Sequence, residues 1–266
     1  MTVLDDILAA KRDEVTLLHQ PPARDAIRKA ALAAPPPRDF TGALRHGDHV
    51  AVIAEFKRRS PSKGDLAPDL DPATTASAYA AGGAAALSVL TDQLFFGGSV
   101  HDLEVARAAA PDTPALRKDF TIDVDQVYES RAIGADALLL IVAAVPDVAE
   151  LTDLHTLAAE LGLDVLVEAH DEAELDVALG VGARVVGVNA RDLGTFAEDL
   201  SVAERLAAQI PPDVVAVAES AIRTVDDARR VAAVGFDAVL VGEALVRADD
   251  PGRLVRELAA TPRTLR

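Results

Sequence analysis

The chain has 266 residues, a formal net charge of −17 and no cysteine. The lack of cysteine excludes disulfides, zinc-thiolate sites and thiol nucleophiles, and the acidic balance without a basic helix face argues against nucleic-acid binding. Half of the residues are hydrophobic but only 3% are aromatic, so Ala, Val and Leu must build a core large enough for one α/β domain.

The N-terminal stretch "MTVLDDILAAKRDEV" is amphipathic and acidic. It lacks the basic and apolar regions of a secretory signal. The longest apolar run, residues 137–145, is too short to cross a bilayer. We therefore expect a soluble, cytoplasmic protein that binds neither membranes nor nucleic acid.

Residues 1–48 precede the first strand-like segment and contain two amphipathic segments typical of helices, "LDDILAAKRDEVTLLH" and "ARDAIRKAALA". The proline-rich stretch 34–40 predicts a stiff connector after them. We expect this extension to pack on the remaining structure and to help cover its open end.

Eight short apolar runs follow, separated by Ala-rich amphipathic segments at the spacing of βα units. Near-continuous Val, Leu and Ile indicate strands buried on both faces, as in parallel sheets. The pattern predicts a (β/α)8 TIM barrel with an N-terminal helical extension, as a single domain over 1–266. A doubly wound sheet is the alternative, but the first run lacks the Gly-rich fingerprint expected there. The predicted strands are 51–56, 85–90, 113–118, 136–142, 163–168, 184–189, 213–218 and 237–242.

Several helix starts are marked in the sequence. Asp71 before Pro72 reads as an N-cap followed by the first helical position. Ser99 with Asp102, and Thr224 with Asp227, have the spacing of a capping box.

Chemically active side chains stand at the carboxyl ends of the predicted strands, where barrels gather their chemistry. Alternation places Glu55 and Lys57 on one face of the first strand. The third strand ends in Lys118, with Phe120 on the same face and Arg117 and Asp119 on the other. A single charged residue at a strand end is ordinarily explained by exposure to solvent. Six strands that place charged or polar side chains at the same rim of the barrel instead indicate a functional site. The remaining residues at strand ends are Glu168, Asn189, Arg191, Glu219, Ser220, Gly242 and Glu243.

The ends of the seventh and eighth strands predict a phosphate site. "ESAI" and "VGEAL" offer small residues and free backbone N–H groups just before a helix, the usual phosphate position of these barrels. The six histidines are scattered, and only His170 follows a strand end, so we expect no metal site.

The motifs "IAEFKRRSPSKG", "SVLTDQLFFGGS", "LRKDF", "LVEAH", "GVNARDL", "AESAI" and "LVGEALVRADDP" resemble indole-3-glycerol phosphate synthase, in its order and spacing. The resemblance covers essentially the whole chain, including the N-terminal extension. It implies a lyase of tryptophan biosynthesis that needs no cofactor or metal. The reaction closes the ring of 1-(2-carboxyphenylamino)-1-deoxyribulose 5-phosphate, releases CO2 and then water, and gives indole-3-glycerol phosphate.

The resemblance also implies roles for the residues at strand ends. Lys118 is the acid that protonates the alkoxide of ring closure, and Glu168 and Lys57 share the proton transfers of dehydration. Glu55 holds Lys57 in its charged state. Asn189 is implied for the reacting hydroxyls, and Ser60 in the first loop is implied to close over the ligand. Arg191 is implied to hold the acidic side of the site in register. The other implied residues are Ser220, Gly242 and Glu243 for phosphate, and Phe96, Phe120 and Leu240 around the anthranilate ring.

One departure from the family concerns the phosphate site, where Ala221 stands in place of the usual glycine after Ser220. If φ must be positive there, Ala costs roughly 1 kcal/mol. The basic residues near the mouth, namely Lys57, Arg58, Arg59, Lys63, Lys118 and Arg191, are expected to make it locally positive for an anionic substrate.

Two other readings remain open at the sequence level. A Schiff-base aldolase would use Lys57 or Lys118 as an imine-forming amine. A non-catalytic protein with the same cavity would bind a phosphorylated ligand without converting it. We expect a monomer that binds a small phosphorylated anion. Other enzymes of tryptophan biosynthesis are candidate protein partners.

Overall fold

A computed structural model describes residues 2–45, 47–191 and 197–264 of the chain. Eight parallel strands close into a barrel, so the (β/α)8 barrel predicted from the sequence is confirmed. The barrel strands are β1 (Ala51–Phe56), β4 (Ala86–Leu90), β5 (Ala115–Lys118), β6 (Ala137–Ile141), β7 (Asp164–Ala169), β8 (Val185–Asn189), β9 (Val215–Glu219) and β10 (Ala238–Val241). They follow one another around the barrel in the order β1-β10-β9-β8-β7-β6-β5-β4, and β1 also pairs with β4.

Helices alternate with these strands and surround the barrel. The described α-helices are α1 (Val3–Leu18), α2 (Pro21–Ala33), α3 (Phe40–Ala43), α4 (Pro72–Ala81), α5 (Val100–Ala109), α6 (Val124–Ala132), α7 (Val148–Glu160), α8 (Glu172–Gly180), α9 (Leu200–Leu206), α10 (Val225–Ala233), α11 (Glu243–Val246) and α12 (Pro251–Ala259). Short 3-10 helices span Val142–Ala144 and Ala207–Gln209.

The apolar runs form strands because helices cover their outer faces and side chains fill the barrel interior. Strands β1, β4, β6, β8, β9 and β10 are buried along their whole length. The three predicted helix starts are confirmed. Asp71 accepts from the Thr74 N–H, Ser99 accepts from the Asp102 N–H, and Thr224 forms a capping box with Asp227.

The N-terminal segment differs from the expectation in one detail. Helices α1 and α2 are present, but the proline-rich connector leads into the additional short helix α3, capped by Asp39. The loop after β1 also contains a two-stranded antiparallel hairpin, β2 (Arg59–Ser60) and β3 (Gly64–Asp65), which hydrophobic periodicity did not predict because its residues are mostly polar. None of the helices in the described ranges has the length and apolar content needed to span a membrane.

A buried ion cluster attaches α1 to the barrel. Lys11 is 1% exposed, and its Nζ lies 2.9 Å from Asp119, 3.1 Å from Asp92 and 2.7 Å from Glu14. Asp119 also pairs with Arg117, with which it shares a face as alternation predicted. Burial alone would lower the pKa of Lys11, but these carboxylates outweigh it and raise the pKa above its ordinary value. The extension is therefore fixed beside the strand that carries Lys118.

Candidate active site

A cavity opens at the carboxyl ends of the barrel strands and gathers nearly all of the residues singled out in the sequence. Each strand contributes at its end because side chains there point into the barrel mouth. The predicted residues that line the cavity are Glu55, Lys57, Phe96, Lys118, Phe120, Glu168, Asn189, Arg191, Ser220, Leu240, Gly242 and Glu243.

The first pair lies at the end of β1. Lys57 Nζ is 2.6 Å from Glu55 Oε1, and both side chains are largely buried. Gly242 leaves room for this pair, since a Cβ at that position would lie 2.2 Å from Glu55 Oε1 and 3.1 Å from Lys57 Nζ. A side chain at residue 242 would therefore have to displace the ion pair.

Lys118 lies at the centre of the buried charges. Its Nζ is 3.2 Å from Glu168 Oε2 and 3.5 Å from Glu219 Oε2. Burial alone would lower the pKa of Lys118, but the carboxylates of Glu168, Glu219 and Glu55 raise it well above the ordinary value. The amine is therefore an ammonium ion at neutral pH, able to donate a proton and unable to act as a free nucleophile.

Glu168 is fixed by several donors. Its Oε1 accepts from Asn189 Nδ2 at 3.0 Å and lies 3.3 Å from His170 Nε2. Burial would raise the pKa of Glu168, but the Lys118 ammonium, with His170 and Asn189, lowers it below the ordinary range. Glu168 is therefore a carboxylate at neutral pH.

Glu219 was noted at a strand end but given no role from the sequence. It is 2% exposed, and its Oε1 has no hydrogen-bond partner among the described residues. Its carboxylate lies against Gly187, where a Cβ would come within 2.0 Å of Oε1. Burial and the neighbouring Glu168 carboxylate raise the pKa of Glu219 to about 8. The raised pKa arises from the burial of Glu219 and from its neighbours in space, neither of which can be seen in the sequence.

The phosphate end of the cavity is formed by the turn after β9 and the first turn of α11. Ser220 and Ala221 have φ values of 64° and 58°, so the positive φ considered from the sequence is present at the alanine. Ser220 Oγ donates to Asn189 Oδ1 at 2.7 Å. In α11 the Leu245 and Val246 N–H groups donate to the Gly242 carbonyl, which leaves the N–H groups of Glu243 and Ala244 without an acceptor inside the helix. The Glu243 side chain pairs with Lys63 at 3.3 Å and with Arg247 at 3.1 Å.

The opposite side of the cavity is apolar. The rings of Phe96 and Phe120 have centroids 6.0 Å apart with an interplanar angle of 36°, and Leu240 also contributes to this wall. Helix α1 adds side chains that the sequence did not identify as site residues. Those from the extension are Val3, Leu4 and Ile7.

Arg191 links the rim to the first loop. Its Nη1 donates to Ser62 Oγ at 2.9 Å, and its Nη2 pairs with Glu198, which also pairs with Arg223. Ser60 lies in strand β2, is 3% exposed and does not line the cavity; its Oγ has no partner in the described part of the chain. The loop serine that reaches a site residue is therefore Ser62, two residues further along.

The cations at the cavity mouth are paired with carboxylates, so the mouth is less positive than the sequence predicted. Each of the six predicted cations forms an ion pair. The pairs are Lys57–Glu55, Arg58–Asp102, Arg59–Asp65, Lys63–Glu243, Lys118–Glu168 and Arg191–Glu198.

A cluster of possible metal ligands, His19, Asp123 and Asp125, lies outside this cavity. Arg24 Nε and Arg28 Nη2 approach Asp125 at 2.8 and 2.7 Å and compensate its charge. These residues therefore form an ion-pair network, as their surroundings contain cations rather than further oxygen ligands.

Comparisons with known proteins agree with this geometry. The family model described as indole-3-glycerol phosphate synthase matches residues 4–258. The chain is 52% identical over 258 residues to the indole-3-glycerol phosphate synthase of a Nocardioides species, covering 97% of this chain and 98% of that protein. It is 49% identical to that of an Arthrobacter species, covering 98% and 96%. The barrel also resembles the crystal structure of 3-hexulose-6-phosphate synthase from Salmonella typhimurium, with TM-score 0.62, 16% identity and coverage of 79% and 97%, a likeness of fold alone.

Proposed function

The chain belongs to the indole-3-glycerol phosphate synthase family, and we propose that the residues of its barrel mouth divide the steps of that reaction as follows. The enzyme is a decarboxylating, ring-closing lyase of tryptophan biosynthesis. It converts 1-(2-carboxyphenylamino)-1-deoxyribulose 5-phosphate to indole-3-glycerol phosphate. The buried ammonium of Lys118, beside the Glu168 carboxylate and the Glu219 carboxyl, is the observation that carries the assignment of roles.

Ring closure forms a carbon–carbon bond at the substrate ketone and turns its oxygen into an alkoxide. Lys118 donates the proton to that oxygen, because the Glu168 carboxylate 3.2 Å from its Nζ keeps the amine charged. Loss of CO2 then returns the bonding electrons to the ring system.

Dehydration requires an acid for the departing hydroxyl and a base for the ring proton. Lys57 forms an ion pair with Glu55 at 2.6 Å, which suits the acid role. Glu168 is a carboxylate, which suits the base role. Asn189 bridges Glu168 and Ser220, so it orients both groups toward the reacting hydroxyls.

The cavity has a polar end and an apolar wall, and each would bind a different part of the substrate. The positive-φ turn at Ser220 and the first turn of α11, with Gly242 and Glu243, would take the phosphate through backbone N–H groups. The wall of Phe96, Phe120 and Leu240 would take the anthranilate ring. Arg191 lies at the rim, where it would meet the ring carboxylate.

The same charges weigh against the aldolase alternative. Imine formation needs a neutral amine, whereas burial among carboxylates keeps Lys118 protonated. Borohydride reduction in the presence of substrate should therefore leave the mass of the protein unchanged. A covalent adduct on Lys57 or Lys118 would support the aldolase instead.

The direct test is turnover of the synthetic substrate. Formation of indole-3-glycerol phosphate is followed by fluorescence, and released CO2 should match it one to one. Absence of product with a folded protein would overturn the proposed function. A monomeric state and a cytoplasmic location stay predictions; light scattering during size-exclusion chromatography tests the former, and fractionation of the native host tests the latter.

A further inference from the structure

His170 lies between two carboxylates just behind the catalytic cavity. Its Nε2 is 3.3 Å from Glu168 Oε1, and its Nδ1 is 2.9 Å from Glu174 Oε2. The side chain is 13% exposed and does not line the cavity. It follows β7 directly, so its backbone places the ring beside Glu168.

The two carboxylates around the ring favour its charged form. Nδ1 hydrogen-bonds with Glu174 Oε2, whereas Nε2 has no hydrogen-bond partner among the described residues and meets Glu168 Oε1 as a close ion contact at 3.3 Å. The doubly protonated ring is attracted to both carboxylates, and a neutral ring would compensate neither charge. Burial opposes the charge, but the carboxylates of Glu168 and Glu174 outweigh it and raise the pKa of His170 to about 10.

Glu174 is itself placed by the start of α8. Asp171 caps this helix by accepting from the Glu174 N–H at 2.9 Å. The Glu174 carboxylate turns back and accepts from the His170 backbone N–H at 2.9 Å, through the same oxygen that faces Nδ1. The ring orientation therefore does not depend on Glu168.

The arrangement distinguishes the two carboxyls that share Lys118. Glu168 faces the cation His170 and the donor Asn189, whereas Glu219 Oε1 has no partner among the described residues. The other charged group acting on this set is Glu55, whose charge also acts on Lys118 and Glu219. His170 and Asn189 both favour the anion on Glu168 over the anion on Glu219, and of the two His170 is the one that carries a charge.

We propose that His170, oriented by Glu174, is a positioning residue that keeps Glu168 ionised as the catalytic base while the proton of the buried pair stays on Glu219. This assignment rests on the proposed function for its kinetic consequence. The proposed charge of His170 is a property of the free protein, so it can be tested without measuring enzyme activity.

The first experiment is nuclear magnetic resonance of the ¹⁵N-histidine-labelled protein, with the His170 signals identified by their loss in His170→Asn. We expect both ring nitrogens of His170 to remain protonated from pH 6 to pH 8. Glu174→Gln should lower the pH at which this ring loses its proton. A neutral ring at pH 7 in the unaltered protein would overturn the proposal, whether or not the protein turns over substrate.

The second experiment compares pH profiles of kcat/KM. Loss of the cation in His170→Asn, or its weakening in Glu174→Gln, should raise the pKa of Glu168 and move the acidic limb to higher pH. The expected shift is about one pH unit in His170→Asn, the usual effect of one opposite charge at this range. The matched control is His101→Asn, an exposed histidine beside Glu104 on α5 that is remote from the cavity.

Glu174→Gln leaves every cavity side chain in place, so it keeps the test valid if His170→Asn fails to fold. Suppose that Glu174→Gln is folded and that its His170 is shown to be deprotonated. If the acidic limb of its kcat/KM profile then stays at the original pH, the positioning role is overturned. Loss of activity at all pH values with unchanged His170 ionisation would count against it as well.

Discussion

The Nζ of Lys57 lies 2.6 Å from Oε1 of Glu55, and this ion pair occupies the space that a side chain at residue 242 would need. The end of β1 and the end of β10 are therefore coupled through Gly242. The ion pair proposed for dehydration and the turn proposed to bind phosphate therefore share this one contact.

We expect Gly242→Ala to displace Glu55 and Lys57, because the new Cβ would lie 2.2 Å from the Glu55 carboxylate. A misplacement of about 1 Å in a catalytic group can reduce turnover by about 100-fold, so steady-state kinetics should show a clear fall in kcat. The control is Gly180→Ala at the end of α8, where a Cβ meets nothing within 4 Å. Equal kcat in the two variants would show that the cavity adapts to the methyl group.

Lys118→Ala should abolish most turnover while substrate binding is largely kept. A missing general acid typically costs about 10²–10⁴-fold in rate. The measurement is kcat by product fluorescence together with substrate affinity by titration calorimetry. Lys29→Ala, at an exposed position on α2, is the control and should behave as the unaltered protein. Near-normal turnover in folded Lys118→Ala would eliminate the assigned acid.

Ala221→Gly should stabilise the protein, because Ala221 has φ of 58°, a region that favours glycine. The expected gain is at most about 1 kcal/mol in the free energy of unfolding by urea. The same change should leave kcat unchanged and lower KM if the strained turn holds the phosphate. Ala159→Gly on the exposed face of α7 is the matched control and should have the opposite sign, a loss of about 1 kcal/mol. A loss of stability in both variants would contradict the strain at residue 221.

Glu219→Gln should change how stability depends on pH. The pKa of Glu219 is about 8 in the folded protein against 4.5 for an ordinary glutamate, so between these values the folded state binds one more proton than the unfolded state. Stability from this group is therefore lost as pH rises from about 4.5 through 8, by at most about 1.4 kcal/mol per pH unit.

Urea unfolding at several pH values between 5 and 8.5 measures this dependence. Glu219→Gln should show a shallower decline than the unaltered protein over that window. Glu160→Gln, at an exposed position on α7, should keep the original slope. Parallel curves for all three proteins would mean that Glu219 ionises normally in the fold.

Lys11→Met should destabilise the protein by about 3–5 kcal/mol, since it leaves the buried carboxylates of Asp92 and Asp119 without this cation. Hydrogen exchange should show faster opening of α1, which Lys11 holds to the barrel. Lys29→Met is the control for loss of a lysine charge on the extension. Unaltered exchange in α1 would show that its apolar contacts suffice.

The eight strands were predictable because a parallel strand in a barrel is buried on both faces, and this produces the near-continuous apolar runs. Most site residues could be predicted as well, since chemistry at strand ends follows from barrel geometry. The hairpin Arg59–Ser60 with Gly64–Asp65 was missed, because short polar strands have no apolar period. The assignment of ligand closure to Ser60 stays a prediction, and the structure places Ser62 on Arg191 instead.

The sequence by itself determined the barrel, its helix caps and the set of ionisable groups at its mouth, because these depend on periodicity and residue type along the chain. The tertiary structure decided the charge that each group carries. Glu168 and Glu219 are the same residue type at equivalent strand ends, yet one is an anion and the other holds its proton to about pH 8. That difference arises from which cations lie within a few ångströms of each carboxyl, and residues distant in sequence supply them.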